Sequence, residues 1–406
     1  MVAPRRIPNA NNMGWSNFRA DMFGRTKVSN PFTLFDSSHR YKMSDDFSDE
    51  TAGTASVTHL PNESTALLTI GTDSGDKITR ESKRVFTYQP GKSLQVMQTF
   101  VFAPLKAGLR QRAGYFSRQN GVFLEQDGTD VYLVLRSYIS GEVVDTKIAQ
   151  RDWNIDPLQG TGPTDIVLDL TKAQIFITEY EWLGVGSVKA GFMIDGVFVG
   201  IHQFNHANNI STVYTTTATL PVRYEIENVA GTSSSSFLKE ISVSIVSNGG
   251  DFLGNNIYTI NRETTSVSDA YLPLISIRMK SGRTDSVIVP ELVNILPKSS
   301  NRFNWALIQN STITGGEWTT HEETGNVEYN VSATAMSGGT TLLEGIFGGD
   351  NQAPMLVDYG DTMNFHLQLG RSNADTPVSD ILTLAVKVPS SESGSAEASF
   401  SWFDLT

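Results

Sequence analysis

The sequence predicts an all-β chain: an extended N-terminal arm followed by two antiparallel β-sandwich (jelly-roll-like) domains. Three observations predict it. Only 18% of the 406 residues are charged, and Gly, Ser, Thr and Asn fill the difference, a composition that suits strands and turns better than helices. Short apolar runs recur between Pro-Gly, Asn-Gly and Asp-Gly dipeptides, which readily take the φ > 0 geometry of tight turns. No sustained helical period, long heptad or fixed repeat competes with that reading.

Residues 1–44 read as the arm. They contain Pro4, Pro8 and Pro31 and no sustained period. Arg5, Arg6, Arg19, Arg25, Lys27, Arg40 and Lys42 stand against Asp21 and Asp36, a net of +5, which leaves −17 on residues 45–406 for the chain total of −12. Trp15, Phe18, Met22, Phe23, Phe32 and Phe35 supply apolar anchors that a disordered tail normally lacks. The arm is therefore expected to become ordered on a surface, either a partner's or its own body's. Arg5, Arg6, Trp15, Phe18, Arg19 and Phe23 are the candidate partner-docking residues.

The first sandwich is expected over residues 45–248. Ser64–Thr69, Val85–Tyr88 and Ser93–Phe102 are strand-like, the last two separated by Pro90-Gly91. Arg112–Arg118, Gly121–Gln126 and Asp130–Tyr138 form a meander punctuated by Asn120-Gly121 and Asp127-Gly128. Leu168–Ile177 reads as a short helix running into a strand. GFMI and VFVGIHQF flank Asp195-Gly196, and Val222–Asn228 and Phe237–Val246 close the domain before Ser247-Asn248-Gly249-Gly250. The second sandwich, residues 249–406, restarts the pattern with Leu274–Met279, Ser286–Val289, Trp305–Gln309, Val327–Ala333, Thr340–Ile346, Met363–Leu369, Asp380–Val388 and Ala398–Phe403. Phe400 and Trp402 share one face of that last strand and need cover from their own domain or a neighbour.

The chemistry the sequence excludes is extensive. With no cysteine there is no thiolate metal site, disulfide or cysteine nucleophile. No run of about 18 apolar residues is present to span a membrane as a helix, and the basic N-terminus lacks the apolar core of a secretory signal. The acidic balance disfavours general nucleic-acid binding. P-loop, dinucleotide and GxSxG motifs are absent. His202 and His206 approach a metal-ligand spacing without a third ligand, and hydrogen-bonded structural histidines are the expectation. Glu179 and Glu181 are expected on a wet strand face, with Tyr180 and Trp182 on the core face, rather than as a glycosidase pair. Trp153, Trp182, Tyr115 and Tyr132 are expected to pack in the core rather than to form a sugar platform, and turn aspartates such as Asp127, Asp130, Asp156 and Asp361 lack calcium-loop spacing. No catalytic, cofactor-binding or metal residue is assigned.

The segments SDDFSDETAGTASV, FTYQPGKSLQV, YFSRQNGVFLEQDG, WNIDPLQGTGPTDIVLDLTKAQIF, EYEWLGVGSVKAGFMIDG, FNHANN, TATLPVRYEIENV and SNGGDF, with YLPLISIRMKSGR beyond them, resemble a family of virion structural proteins of tailed bacteriophages. The resemblance implies a non-enzymatic part of the particle, folded in the host cytoplasm and released with the virion. A tail fibre or tail-associated protein is the first expectation. A head decoration or head fibre is the alternative, and a glycan-binding, lectin-like protein is the reading from another class. Expected partners are other virion proteins, further copies in a cyclic homo-oligomer such as a trimer, and a host surface glycan; nucleic acid and membrane insertion are not expected.

Overall fold

The computed structural model describes residues 31–249, 256–348, 355–358, 367–389 and 393–406. The chain divides at the SNGGDF stretch into two compact units: Met1–Phe252 with Asn373–Asp375, and Leu253–Ser372 with Thr376–Thr406. Both are antiparallel sandwiches. The sole helical element among the described residues is one 3₁₀ turn, Gln150–Asp152.

Among the described residues the first unit holds fifteen strands: β1 (Phe32–Ser38), β2 (Phe47–Ala52), β3 (Ser56–Leu60), β4 (Thr65–Ile70), β5 (Lys77–Ser82), β6 (Leu94–Phe102), β7 (Leu109–Phe116), β8 (Gly121–Asp127), β9 (Asp130–Ser137), β10 (Val144–Ala149), β11 (Gln174–Tyr180), β12 (Val188–Ile194), β13 (Val197–Phe204), β14 (Val222–Asn228) and β15 (Ser236–Ser247). An eight-stranded sheet runs β13-β12-β11-β6-β15-β4-β3, with β1 also on β15, and a seven-stranded sheet runs β10-β9-β8-β7-β14-β5-β2. Strand side chains alternate between faces, so each sheet sends one set inward. Leu68, Val96, Phe100, Phe176, Phe192 and Ile245 from the first meet Ile78, Tyr115, Leu124, Leu133, Tyr224 and Ile226 from the second in one continuous core.

β1 lies inside the stretch expected as an arm. It is a strand of the body, antiparallel to the second half of β15 from Phe32 opposite Ser247 to Ser38 opposite Ser242, and it buries Leu34 and Phe35. The expected helix at Leu168–Ile177 is absent. The Asp169 side chain accepts the Thr171 N–H (3.0 Å) and hydroxyl (2.6 Å), and such a local turn competes with helix before β11 begins. Val85–Tyr88 forms only an isolated bridge, Phe86 to Leu220. Among the turns, Asp195 (φ 51°) and Gly196 (φ 77°) form the expected two-residue hairpin. The β8–β9 turn sits one residue later, on Gly128-Thr129, and β7–β8 closes through four residues, Ser117–Asn120.

One charged group crosses the core. Arg80 of β5 and Glu240 of β15 both point inward, are fully buried, and pair through Nε and Oε2. Arg80 Nη1 also reaches Asp49 of β2 (2.6 Å), and its guanidinium lies 4.7 Å from the Phe47 ring centroid. His39 is fully buried beside them. Its Nδ1 accepts the Ser44 N–H (3.1 Å), so the ring proton stands on Nε2, 3.2 Å from Glu240 Oε1. A bulge in β15 between Glu240 and Ser242 marks the place.

In the second unit a four-stranded sheet, in the order Ile257–Val267, Gly394–Asp404, Ile288–Pro297, Met355–Asp358, is one layer. The other is a six-stranded sheet, Thr319–Thr320, Val327–Asn330, Leu272–Met279, Ile381–Lys387, Phe303–Gln309, Thr340–Phe347. Phe400 and Trp402 are fully buried in this unit's core with Ile277, Leu307 and Leu384, so the apolar chain end is covered by its own domain. The strand expected at Met363–Leu369 lies mostly outside the described residues.

Glu240 carries the first prediction. Burial raises its pKa, and Arg80 and His39 outweigh that, holding the carboxyl below its ordinary value. A depressed folded-state pKa contributes stability above the unfolded carboxylate value, and that contribution is lost as pH falls through the folded one. Urea midpoints of the wild type should therefore drop on acidification below the ordinary carboxylate range, with a smaller acid slope in Glu240→Gln. Glu240→Ala, which strands a buried arginine, should cost about 3–5 kcal/mol at neutral pH.

Candidate functional site

The densest cluster of chemistry among the described residues lies on the outer face of the seven-stranded sheet, and strand register alone assembles it. Arg112 on β7 stands directly opposite Glu125 on β8 and Glu225 on β14. Arg223 on β14 stands opposite Glu81 on β5. Opposite charges in facing positions stabilise a strand pair, and here the contacts close. Arg112 bonds Glu125 (2.6 Å) and Glu225 (2.9 Å), while Arg223 bonds Glu225 (2.7 Å) and Glu81 (3.0 Å). At the β10 edge, Arg136 makes a bidentate pair with Asp145 (2.7 and 2.8 Å), and Lys147 reaches Glu125 (2.5 Å) and Asp127 (3.2 Å).

Two phenylalanines form the floor. Phe116 and Phe123 lie 4.3 Å apart between centroids, fully buried beside Val134. The guanidinium of Arg112 sits 5.2 Å from the Phe123 centroid, that of Arg136 5.0 Å from the same ring, and that of Arg223 5.6 Å from Phe116. Cations over aromatic faces gain from the ring quadrupole. Gly114 is required where β7 passes Phe123, since a Cβ there would stand 2.4 Å from the Phe123 Cβ.

The electrostatics are those of a neutralised network. Burial raises the Glu225 pKa, but Arg223 and Arg112 outweigh it and hold the carboxyl far below the usual carboxylate range. Arg112 and Arg223 are both raised, their carboxylate partners overcoming burial. A carboxyl so clamped stays ionised and has no proton to donate near neutrality.

Of the residues singled out from sequence, Asp127 and Tyr132 border this cluster through Lys147, and the others sit elsewhere. His202 is buried on β13, and its Nδ1 accepts the Asn154 N–H at 3.1 Å. His206 stacks on Tyr214 at 4.0 Å, with Nδ1 2.6 Å from the Gly186 carbonyl. Burial lowers both pKa values, that of His202 to about 4. These are hydrogen-bonded histidines, and no group of three metal-ligating side chains occurs among the described residues.

Glu179 is buried on the outer face of the eight-stranded sheet rather than on a wet one, in register with Lys189 and bonded by Asn248 (3.3 Å). Glu181 lies past the end of β11, where its N–H donates to Ser187, so the two carboxylates do not form a facing pair on one strand. Trp153 and Tyr115 are core residues. The Tyr115 hydroxyl stands between the Phe86 (2.8 Å) and Ala218 (2.9 Å) carbonyls. Trp182 donates to Thr215 (2.9 Å), and Tyr132 lies under the Lys147 ammonium at 5.4 Å, so the four rings build no common platform. Asp156 is filled by Leu158 and Thr164, and Asp361 lies outside the described residues. The docking candidates Arg5, Arg6, Trp15, Phe18, Arg19 and Phe23 also lie outside them.

Sequence reasoning missed the network of Arg112, Glu125, Arg223, Glu225 and Glu81. The alternation of charge in RQRAGYF and VRYEIEN was visible, but only the register reveals which charges face.

No family model and no curated protein matches this chain. Solved structures similar to part of it include a Bacillus licheniformis β-glucanase (11% identity, 54% of this chain and 98% of that one, TM-score 0.34). The Emp47p carbohydrate recognition domain (11%, 55% and 99%, TM-score 0.35) and a legume lectin-like domain from Entamoeba histolytica (9%, 52% and 95%, TM-score 0.29) are others. At these scores the likeness carries no argument about activity or ligand.

Two outcomes follow from the geometry. Arg112→Ala should leave Glu125 and Glu225 buried without their shared cation and cost about 3–5 kcal/mol in chemical denaturation. His202 is held neutral in the folded state, so its contribution is complete above its unfolded pKa near 6.5 and is lost as pH falls toward 4. A pH series of urea midpoints should show that decline, and His202→Gln should flatten it.

Proposed function

We propose that this chain is a non-enzymatic structural component of a bacteriophage particle, in the first instance a tail fibre or tail-associated protein. The single observation that supports it best is the state of the carboxylates on the seven-stranded sheet. Glycoside hydrolysis on a sandwich face needs a carboxylic acid kept protonated near neutral pH and a second, ionised carboxylate across a groove. Glu225 and Glu125 are instead shared by Arg112 at hydrogen-bond distance, and Glu225 is driven further into its ionised form. Opposite charges closed over buried rings stiffen a sheet; they leave no acid to protonate a leaving group. The resemblance of the EWLGVGSVKAGFMIDG region to virion proteins supports the particle assignment.

The test has two arms. Purified protein incubated with a panel of polysaccharides should release no reducing sugar above a blank. Hydrolysis that a folded Glu225→Gln variant abolishes would overturn the non-enzymatic reading. Antibodies to the protein should label purified particles in electron micrographs, at the tail for the first-choice location. Labelling confined to the head selects decoration, and absence from particles sinks the assignment.

A further inference from the structure

The inward positions of β6 read Leu94, Val96, Gln98, Phe100 and Phe102, one amide in an otherwise apolar row. Gln98 is 1% exposed, and neither its Oε1 nor its Nε2 has a hydrogen-bond partner among the described residues. The hydroxyl of Tyr224, fully buried on β14, has none either. Nor has Arg80 Nη2, the guanidinium nitrogen left over once Nε bonds Glu240 and Nη1 bonds Asp49. Leaving such groups dry in one core is costly, and native interiors almost always pair them.

The register brings these groups together. Arg80 and Tyr224 face each other across β5 and β14. Glu240, which bonds Arg80 from the other sheet, stands opposite Phe100, the next inward residue of β6 after Gln98. Burial and Glu240 hold the Tyr224 hydroxyl well above its ordinary pKa, while Gln98 and Arg80 act in the opposite direction, so all of them lie about that hydroxyl. A direct bond between Gln98 and Tyr224 would satisfy the hydroxyl and one amide atom. It would still leave the other amide atom and Arg80 Nη2 without partners.

We propose that the core of the first sandwich contains an internal water site, in which a water molecule bridges the Gln98 amide, the Tyr224 hydroxyl and Arg80 Nη2. The set of donors and acceptors selects the occupant. Arg80 Nη2 and Gln98 Nε2 only donate, Gln98 Oε1 only accepts, and a tyrosine hydroxyl does either. A buried water makes about three hydrogen bonds and can both give and accept them, which fits this mixture. An anion would leave Gln98 Oε1 unpaired and would face the Glu240 carboxylate. A cation would face the guanidinium. The water gives the arginine its last partner, so the ion pair that crosses the core is held by a complete set of hydrogen bonds. The site belongs to the fold and stands whether or not the protein is part of a particle.

Tyr115 supplies an internal control. It is as fully buried as Tyr224, but its hydroxyl stands between the Phe86 (2.8 Å) and Ala218 (2.9 Å) carbonyls and accepts the Leu220 N–H (3.1 Å). X-ray radiolysis of the native full-length protein turns bound water into hydroxyl radicals, which oxidise the side chains beside them. Tyr224 should be oxidised severalfold faster than Tyr115, as read by mass spectrometry of the digested protein. Equal rates would overturn the proposal. A crystal structure of the unaltered chain is the second measurement. It should show one water peak within about 2.7–3.2 Å of the Gln98 amide, the Tyr224 hydroxyl and Arg80 Nη2. No peak there, or Gln98 bonded directly to Tyr224 with nothing between them, defeats the inference.

Discussion

Arg80 and Glu240 form the contact on which the first sandwich turns. One comes from each sheet, and both are sealed in an apolar core where an unpaired charge is costly. The pair acts as a register pin: a one-residue slip of β5 or β15 would send its charge to the opposite face and strand the other. Asp49 and His39 extend the pin to β2 and to the turn after β1, so the N-terminal strand is tied to the same site. A hydrophobic pair of similar volume would hold the sheets together at least as well, but it would tolerate more alternative registers.

The outer face of the seven-stranded sheet follows the same period-two rule with the opposite outcome. Inward positions of β7 and β14 carry Ala113, Tyr115, Tyr224 and Ile226, while outward positions carry Arg112, Phe116, Arg223 and Glu225. The outward set is almost as buried as the inward one, and the arginines lay their guanidinium groups over Phe116 and Phe123 while bonding carboxylates on both sides. Long cationic side chains cover apolar surface in this way when their heads find partners. What emerges is a second, thin layer of packing, polar in composition but dry, in which every carboxylate named is committed to a cation.

The second sandwich closes around a strand near the chain end. Gly394–Asp404 lies between Ile257–Val267 and Ile288–Pro297 and sends Phe400 and Trp402 inward. The chain end completes that layer, since the Leu405 N–H donates to Val287 (2.9 Å) and the Val287 N–H to the Thr406 hydroxyl (3.0 Å). The aromatic residues of this terminus are thus accounted for by folding, and they carry no demand for a neighbouring subunit.

The sequence by itself determined the all-β class and most strand cores, because turn chemistry and short apolar runs are local properties. Val222–Asn228 and the Asp195-Gly196 hairpin could be read to the residue. The absence of a cysteine or metal motif was equally plain. Tertiary structure alone decided which strands pair and in what register, and the buried charge contacts depend on that. Arg112 finds Glu225 across 113 positions of sequence, and Arg80 finds Glu240 across 160. It also decided that Phe32–Ser38 is a strand of the body, since β15 is long enough to pair with β4 along one half and β1 along the other. Periodicity tells a residue which face it takes; only the sheet order tells it what it will meet there.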